Sequence, residues 1–142
     1  MKTEKINKIW FEDDHIYGET TDGEILRQSL LWYPHLLKAS EIEREKYSIG
    51  FTGIHWRELN EDISFESFFY EDAEPSEMQR FFLTHPQINI SAFAKSININ
   101  ASLLRNYING FKKPSKKREE EIVTGLHNLG YELIELSLSN SH

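Results

Sequence analysis

The sequence predicts an α+β chain: a small N-terminal α+β domain with antiparallel hairpins, followed by an all-α domain. Three observations carry this expectation. β-branched and aromatic residues crowd the first thirty positions, apolar residues recur at helical spacing beyond residue 77, and the charge changes sign between the two regions. Residues 1–75 hold 8 Lys and Arg against 17 Asp and Glu, net −9, whereas residues 76–142 hold 8 against 6, net +2. The whole-chain charge of −7 therefore averages two unlike parts. The expected organisation is a domain over 1–70, a linker at 71–76, and a second domain over 77–142 that ends in a strand.

Ile6-Asn7-Lys8-Ile9-Trp10-Phe11 reads as a first strand and stops at Glu12-Asp13-Asp14. His15-Ile16-Tyr17 opens a second, ended by Asp22-Gly23, a strong hairpin signal. Glu24 to Leu31 makes a third, broken by Trp32-Tyr33-Pro34. Ser40-Glu41-Ile42-Glu43 is a capping box, in which hydroxyl and carboxylate satisfy two orphan N–H groups at a helix start. Tyr47 to Trp56 predicts one strand, and Ser64 to Tyr70 a short helix or turn. The acidic Glu71-Asp72-Ala73-Glu74-Pro75 is the expected linker.

Met78, Phe81 and Phe82 then recur at i, i+3, i+4 on a helix bounded by Pro86. Two short helices follow, and a longer one in which Ile122, Val123, Leu126 and Leu129 face inward and Gly130 stands at the C′ position. Ile134, Leu136 and Leu138 alternate with Glu135, Ser137 and Ser139, the period of a half-buried strand that could pair with its own copy in a homodimer.

Residues 91–115 carry the chemistry. Ser91 can cap a helix with Phe93, Ala94 and Ile97 inward; Asn98 suits a tight turn, Ile99 tucks it into the core, and Asn100 can cap the next helix. Leu104, Tyr107 and Ile108 give that helix its buried side. Outward remain Ala101, Ser102, Arg105, Asn106 and Asn109, a small polar face with the donors and acceptors that meet base edges in a major groove. Lys112, Lys113, Lys116, Lys117 and Arg118 follow. Three of them lie in the first turn of a helix capped by Ser115, against the positive end of its dipole, where a phosphate would neutralise them.

Other classes drop out. The chain has no Cys, hence no disulfide, thiolate ligand or thiol nucleophile, and its six His never take the spacing of paired ligands on one helix. No run of about 18 apolar residues could span a bilayer, and the opening Met1 to Lys5 leads to no secretory leader. His55, Glu58, Glu61 and Asp62 lie close in sequence but at the spacing of no catalytic or metal site. Trp32, Pro34 and Trp56 read as packing residues there, and Ile63 as the anchor of a helix whose start Glu61 and Asp62 complement. A Gly-rich phosphate loop, a Ser nucleophile elbow and a zincin helix are all absent. The expectation is a cytoplasmic protein that is not an enzyme and takes no cofactor or metal.

Two resemblances add to this. From Ala94 through Asn98, Ile99, Asn100 and Gly110 to Lys112-Lys113-Pro114-Ser115, the chain resembles the helix-turn-helix of the lambda-repressor-like (Xre-type) DNA-binding family. The resemblance implies base contacts at Ala101, Ser102 and Asn106 with Arg105 adjacent, and phosphate contacts at Asn100, Asn109 and Lys112. Ser91, Lys113, Lys116 and Lys117 complete the expected backbone contacts. Asp22-Gly23, Trp32-Tyr33-Pro34-His35-Leu36, Ala39, Glu43-Arg44, Gly53-Ile54-His55-Trp56 and Leu59-Asn60-Glu61-Asp62-Ile63-Ser64 resemble a bacterial domain of unknown function, number 2442. Some of its members carry a lambda-repressor-like C-terminal domain. Together these imply a sequence-specific DNA-binding protein, a transcriptional regulator acting on double-stranded DNA as a homodimer. The alternative is a protein-interaction or antitoxin-like module whose acidic first domain binds a partner protein.

Overall fold

The computed structural model describes residues 5–138, and the chain divides into two compact units between Ser76 and Glu77. It is α+β, antiparallel sheets first and helices after.

In the first unit, β1 (Ile6–Glu12), β2 (His15–Thr20) and β3 (Ile25–Ser29) form one antiparallel sheet in that order. Asp13, at φ 53°, takes the left-handed conformation in the first turn, and Gly23, at φ 87°, takes it in the second. The expected third strand stops at Ser29, because Leu30–Trp32 winds into a 3-10 turn capped by the Ser29 hydroxyl. Pro34 begins the one-turn helix α1 (Pro34–Leu37), where its missing N–H costs nothing. The capping box is present at α2 (Glu41–Arg44): Ser40 Oγ accepts from Glu43 N at 3.1 Å, and Glu43 Oε1 accepts from Ser40 N at 2.8 Å.

The single strand expected over 47–56 is a hairpin. β4 (Ser48–Ile49) and β5 (Gly53–Trp56) pair across a turn closed by Gly50 N donating to Gly53 O at 2.8 Å. β6 (Glu61–Ser64) pairs with β5, so Ile63 anchors a strand and not the helix expected there. The helical piece comes later, as a 3-10 turn over Glu66–Phe69. The reason is backbone satisfaction: Asn60, at φ 51°, turns the chain so that residues 61–64 ladder onto β5. Both sheets feed one core that includes Ile6, Ile16, Leu30, Ile54, Trp56 and Ile63.

The segment expected as a linker is docked on the first unit. Ser29 N donates to Ala73 O at 3.0 Å, Trp32 Nε1 donates to Asp72 O at 3.0 Å, and Pro75 is buried. Glu74 Oε1 lies 2.6 Å from His15 Nε2 and 3.3 Å from Arg27 Nε.

The second unit holds α3 (Glu77–Thr84), α4 (Ile90–Ser96), α5 (Ala101–Ile108) and α6 (Lys116–Glu135). Their core joins Met78, Phe82, Phe93, Leu104, Ile108 and Ile122. Buried Gln79 donates through Nε2 to Tyr107 O at 2.8 Å, tying α3 to α5. Two expectations fail at the end of the chain. Gly130 is an interior residue of α6, not its terminator, and residues 134–138 are helix and coil, not strand. Among the described residues of this unit a lone strand has no ladder to join, whereas helix lets Leu136 N reach Glu132 O at 3.1 Å. Ser139, the last residue of the expected strand, lies outside the described residues.

Candidate nucleic-acid interface

α4 and α5 are joined by a tight turn over 97–100. Asn89 caps α4, its Oδ1 accepting from Ala92 N at 2.9 Å, so Ser91 sits inside the first turn and not at the cap. Asn98 holds φ 59°, and Ile99 N donates to Ala94 O at 2.9 Å while the Ile99 side chain is buried. Ala94 is fully buried, where a larger side chain would force the helices apart. Asn100 Oδ1 accepts from Ser102 N at 2.8 Å and Leu103 N at 3.2 Å, which leaves its Nδ2 for an outside acceptor.

The α5 face divides as its spacing predicts. Leu104, Tyr107 and Ile108 are buried, and Ser102, Arg105, Asn106 and Asn109 are exposed. Ala101 is recessed, half-buried against the core. The structure brings Arg105 and Ser91 together: Arg105 Nη2 donates to Ser91 Oγ at 2.6 Å, which steers the guanidinium along the α4 side of the face. Gly110, at φ 81°, ends α5, and Phe111 N and Lys112 N both donate to Asn106 O, at 2.9 and 3.2 Å. This anchors the loop and presents Phe111, 82 % exposed, between the α5 face and the lysines. Phe111 is absent from the expected site; its signal is a large apolar residue placed between Gly110 and Lys112, outside either helical pattern.

Lys112, Lys113, Lys116 and Lys117 are exposed, and among the described residues none is held in an ion pair. Ser115 Oγ accepts from Arg118 N at 3.1 Å, so α6 starts as expected, with Lys116, Lys117 and Arg118 at the positive end of its dipole.

Of the polar residues singled out near 55–62, His55 and Asp62 meet, in the first unit, whereas Glu58 lies 3.6 Å from Lys46 Nζ. Pairing sets Ser48, His55 and Asp62 abreast on β4, β5 and β6. His55 Nδ1 lies 2.6 Å from Asp62 Oδ1, both exposed to water. The other ring nitrogen lies over Gly50, where a Cβ would come within 3.0 Å of it, and among the described residues Ser48 makes no hydrogen bond to it. Burial pushes the Glu61 carboxyl up, against the opposing pull of His35, whose Nδ1 is 3.7 Å away.

No helix among the described residues is long and apolar enough to cross a membrane. No curated protein and no solved structure matches the chain. Residues 6–74, almost the whole of the first unit, match the model of a family described as a protein of unknown function (DUF2442), the resemblance expected for the N-terminal part.

Proposed function

We propose that the second unit binds double-stranded DNA, with α5 in the major groove and the loop and helix start beyond it on the phosphate backbone. The observation that carries this reading is the continuity of two surfaces: the polar face of Ser102, Arg105, Asn106 and Asn109, and four exposed lysines with no carboxylate partner among the described residues. An α-helix with its side chains is about 10–12 Å across, matched to a groove about 12 Å wide. Arg105 and Asn106 supply directional donors and acceptors, Ser102 supplies either, and recessed Ala101 reaches only a protruding methyl. Asn100, Asn109, Ser91, Lys112, Lys113, Lys116 and Lys117 take the phosphates. The resemblance of residues 94–115 to the lambda-repressor-like (Xre-type) helix-turn-helix supports the assignment, and with it a role in transcription regulation.

The test is titration of a random duplex pool over a range of salt. Of these contacts the four lysines neutralise phosphate charge, which implies a log–log slope of about −4; a flat line rejects the reading. A second reading rests on the first unit. Its net charge of −9 over residues 1–75, with Phe51 bare at the tip of the β4–β5 hairpin and Ile42 exposed on α2, suits a basic partner protein. Capture of one stoichiometric protein without retained DNA favours that alternative.

A further inference from the structure

The residues expected to form a self-pairing strand are instead the exposed last turns of α6 and the coil beyond it, and they remain strongly apolar. Tyr131, Ile134 and Leu138 stand 62, 81 and 94 % exposed. The α6 face that carries Tyr131 and Ile134 also walls a groove of about 870 Å³ between α3 and α6, with Met78, Phe81, Val123 and Leu126.

Two interior glycines of α6 give an independent observation. A Cβ on Gly125 would come within 2.6 Å of Ile97 Cγ2 and 3.2 Å of the Phe93 ring, so the approach of α4 accounts for it. A Cβ on Gly130, which lines the groove, would meet nothing within 4 Å. Glycine is among the poorest helix formers, yet among the described residues of this unit nothing takes the space it leaves. A helix surface reduced to backbone lets a second helix approach closely.

We propose that this face docks a second copy of the chain, α6 against α6 in antiparallel sense about a two-fold axis at Gly130. Such pairing sets residues equidistant from Gly130 opposite one another. Gly130 meets Gly130, and Leu126 faces Ile134 of the second copy. A parallel pairing would set Glu119, which lines the groove, on Glu119 and align the two helix dipoles. The protruding Tyr131 and Ile134 and the groove that can receive them lie on one face, which is the self-complementarity a two-fold contact requires. A foreign helix would fill the groove and leave those two side chains bare. Phe111 aside, the six large exposed apolar side chains among the described residues of this unit (Phe81, Tyr131, Leu133, Ile134, Leu136 and Leu138) each offer on the order of 100 Å² per copy. Across two copies they reach about 1,200 Å², the lower bound of a stable interface.

The experiment is sedimentation velocity of the full chain without nucleic acid, from about 1 to 100 μM. The expected result is a concentration-dependent dimer. Ile134→Glu and Gly130→Leu should each raise the dimer Kd at least about tenfold with helical circular dichroism unchanged, because both positions face open space. Since the chain has no cysteine, Gly130→Cys tests the axis directly: mild oxidation should yield a covalent dimer, and Asn128→Cys should not. A chain that stays monomeric throughout, a dimer indifferent to both substitutions, or a wild-type dimer whose Gly130→Cys variant fails to cross-link overturns the proposal. A monomer that still binds duplexes with a steep salt dependence overturns this inference alone and leaves the DNA reading standing.

Discussion

Replacing Gly125 and Gly130 by alanine, one at a time, should move the stability of the second unit in opposite directions. Gly130 lies inside α6 without a left-handed φ, and its new methyl would meet nothing within 4 Å. Alanine there gains the helix propensity alone, about 0.5–1 kcal/mol. Gly125→Ala gains the same, but its Cβ would stand 2.6 Å from Ile97 Cγ2 and 3.2 Å from Phe93. Ile97 Cγ2 is attached at the branch point, so it cannot swing clear as a side-chain tip could. Overpacking of this kind costs about 1–3 kcal/mol, leaving a net loss of about 1 kcal/mol. The two variants should therefore differ by about 2 kcal/mol, close to 1 M in urea midpoint for an m-value of about 2 kcal/mol/M. Far-ultraviolet circular dichroism follows the helices. Trp10, Trp32 and Trp56 all belong to the first unit, so their fluorescence serves as an internal control. Measurement in dilute solution keeps any self-association out of the comparison. If Gly130→Ala instead lost about 1 kcal/mol, the penalty for alanine in a left-handed terminating position, α6 would end at residue 130 and the reasoning would fail.

The other expectations concern the first unit and the DNA surface. Burial raises the Tyr33 hydroxyl pKa above its usual 10.0; the fold favours the neutral form, so this stability is complete below pH 10 and is lost as pH rises through the higher folded value. Tyr33→Phe should flatten that alkaline loss in pH-dependent unfolding. At neutral pH it should cost about 1 kcal/mol for the 2.8 Å bond to Gln28 Oε1. Gly53→Ala should lower the unfolding free energy, followed by tryptophan fluorescence, by about 2 kcal/mol, because its Cβ would stand 2.6 Å from the backbone oxygen of Ile63 and part β5 from β6. Selection from a random duplex library should show that Arg105→Ala relaxes the preference at one base position by about 1–3 kcal/mol. Lys113→Ala should weaken all duplexes alike and reduce the salt slope by about 1.

Where local chemistry decides conformation, the sequence was legible. The Ser40–Glu43 capping box, Gly23 and Gly110 in the left-handed region, and the turn at Asn98 all follow from one or two residues and their immediate neighbours. It was less legible where a distant partner decides. Residues 61–64 form a strand because β5 lies beside them, and Gly53 permits that approach without advertising it. The alternation of Ile134, Leu136 and Leu138 resembles a strand only while the absence of a neighbouring ladder goes unseen; the same residues extend α6 and the coil after it. Within the candidate site, the exposed side of α5 was readable from its period. The Arg105–Ser91 contact spans 14 residues and depends on how two helices cross, so no spacing announces it.

The strap at residues 72–75 bears on how the chain can be dissected. A fragment cut after Tyr70, where the acidic run invites a boundary, strips Ser29 N and Trp32 Nε1 of their acceptors and His15 of its carboxylate. Each orphaned group that stays buried costs about 1–3 kcal/mol, a large share of what a domain this small has to spare. Cutting after Ser76 keeps all three. Seventy residues and seventy-six thus differ by a clasp, and a truncation series should show the shorter piece melting first.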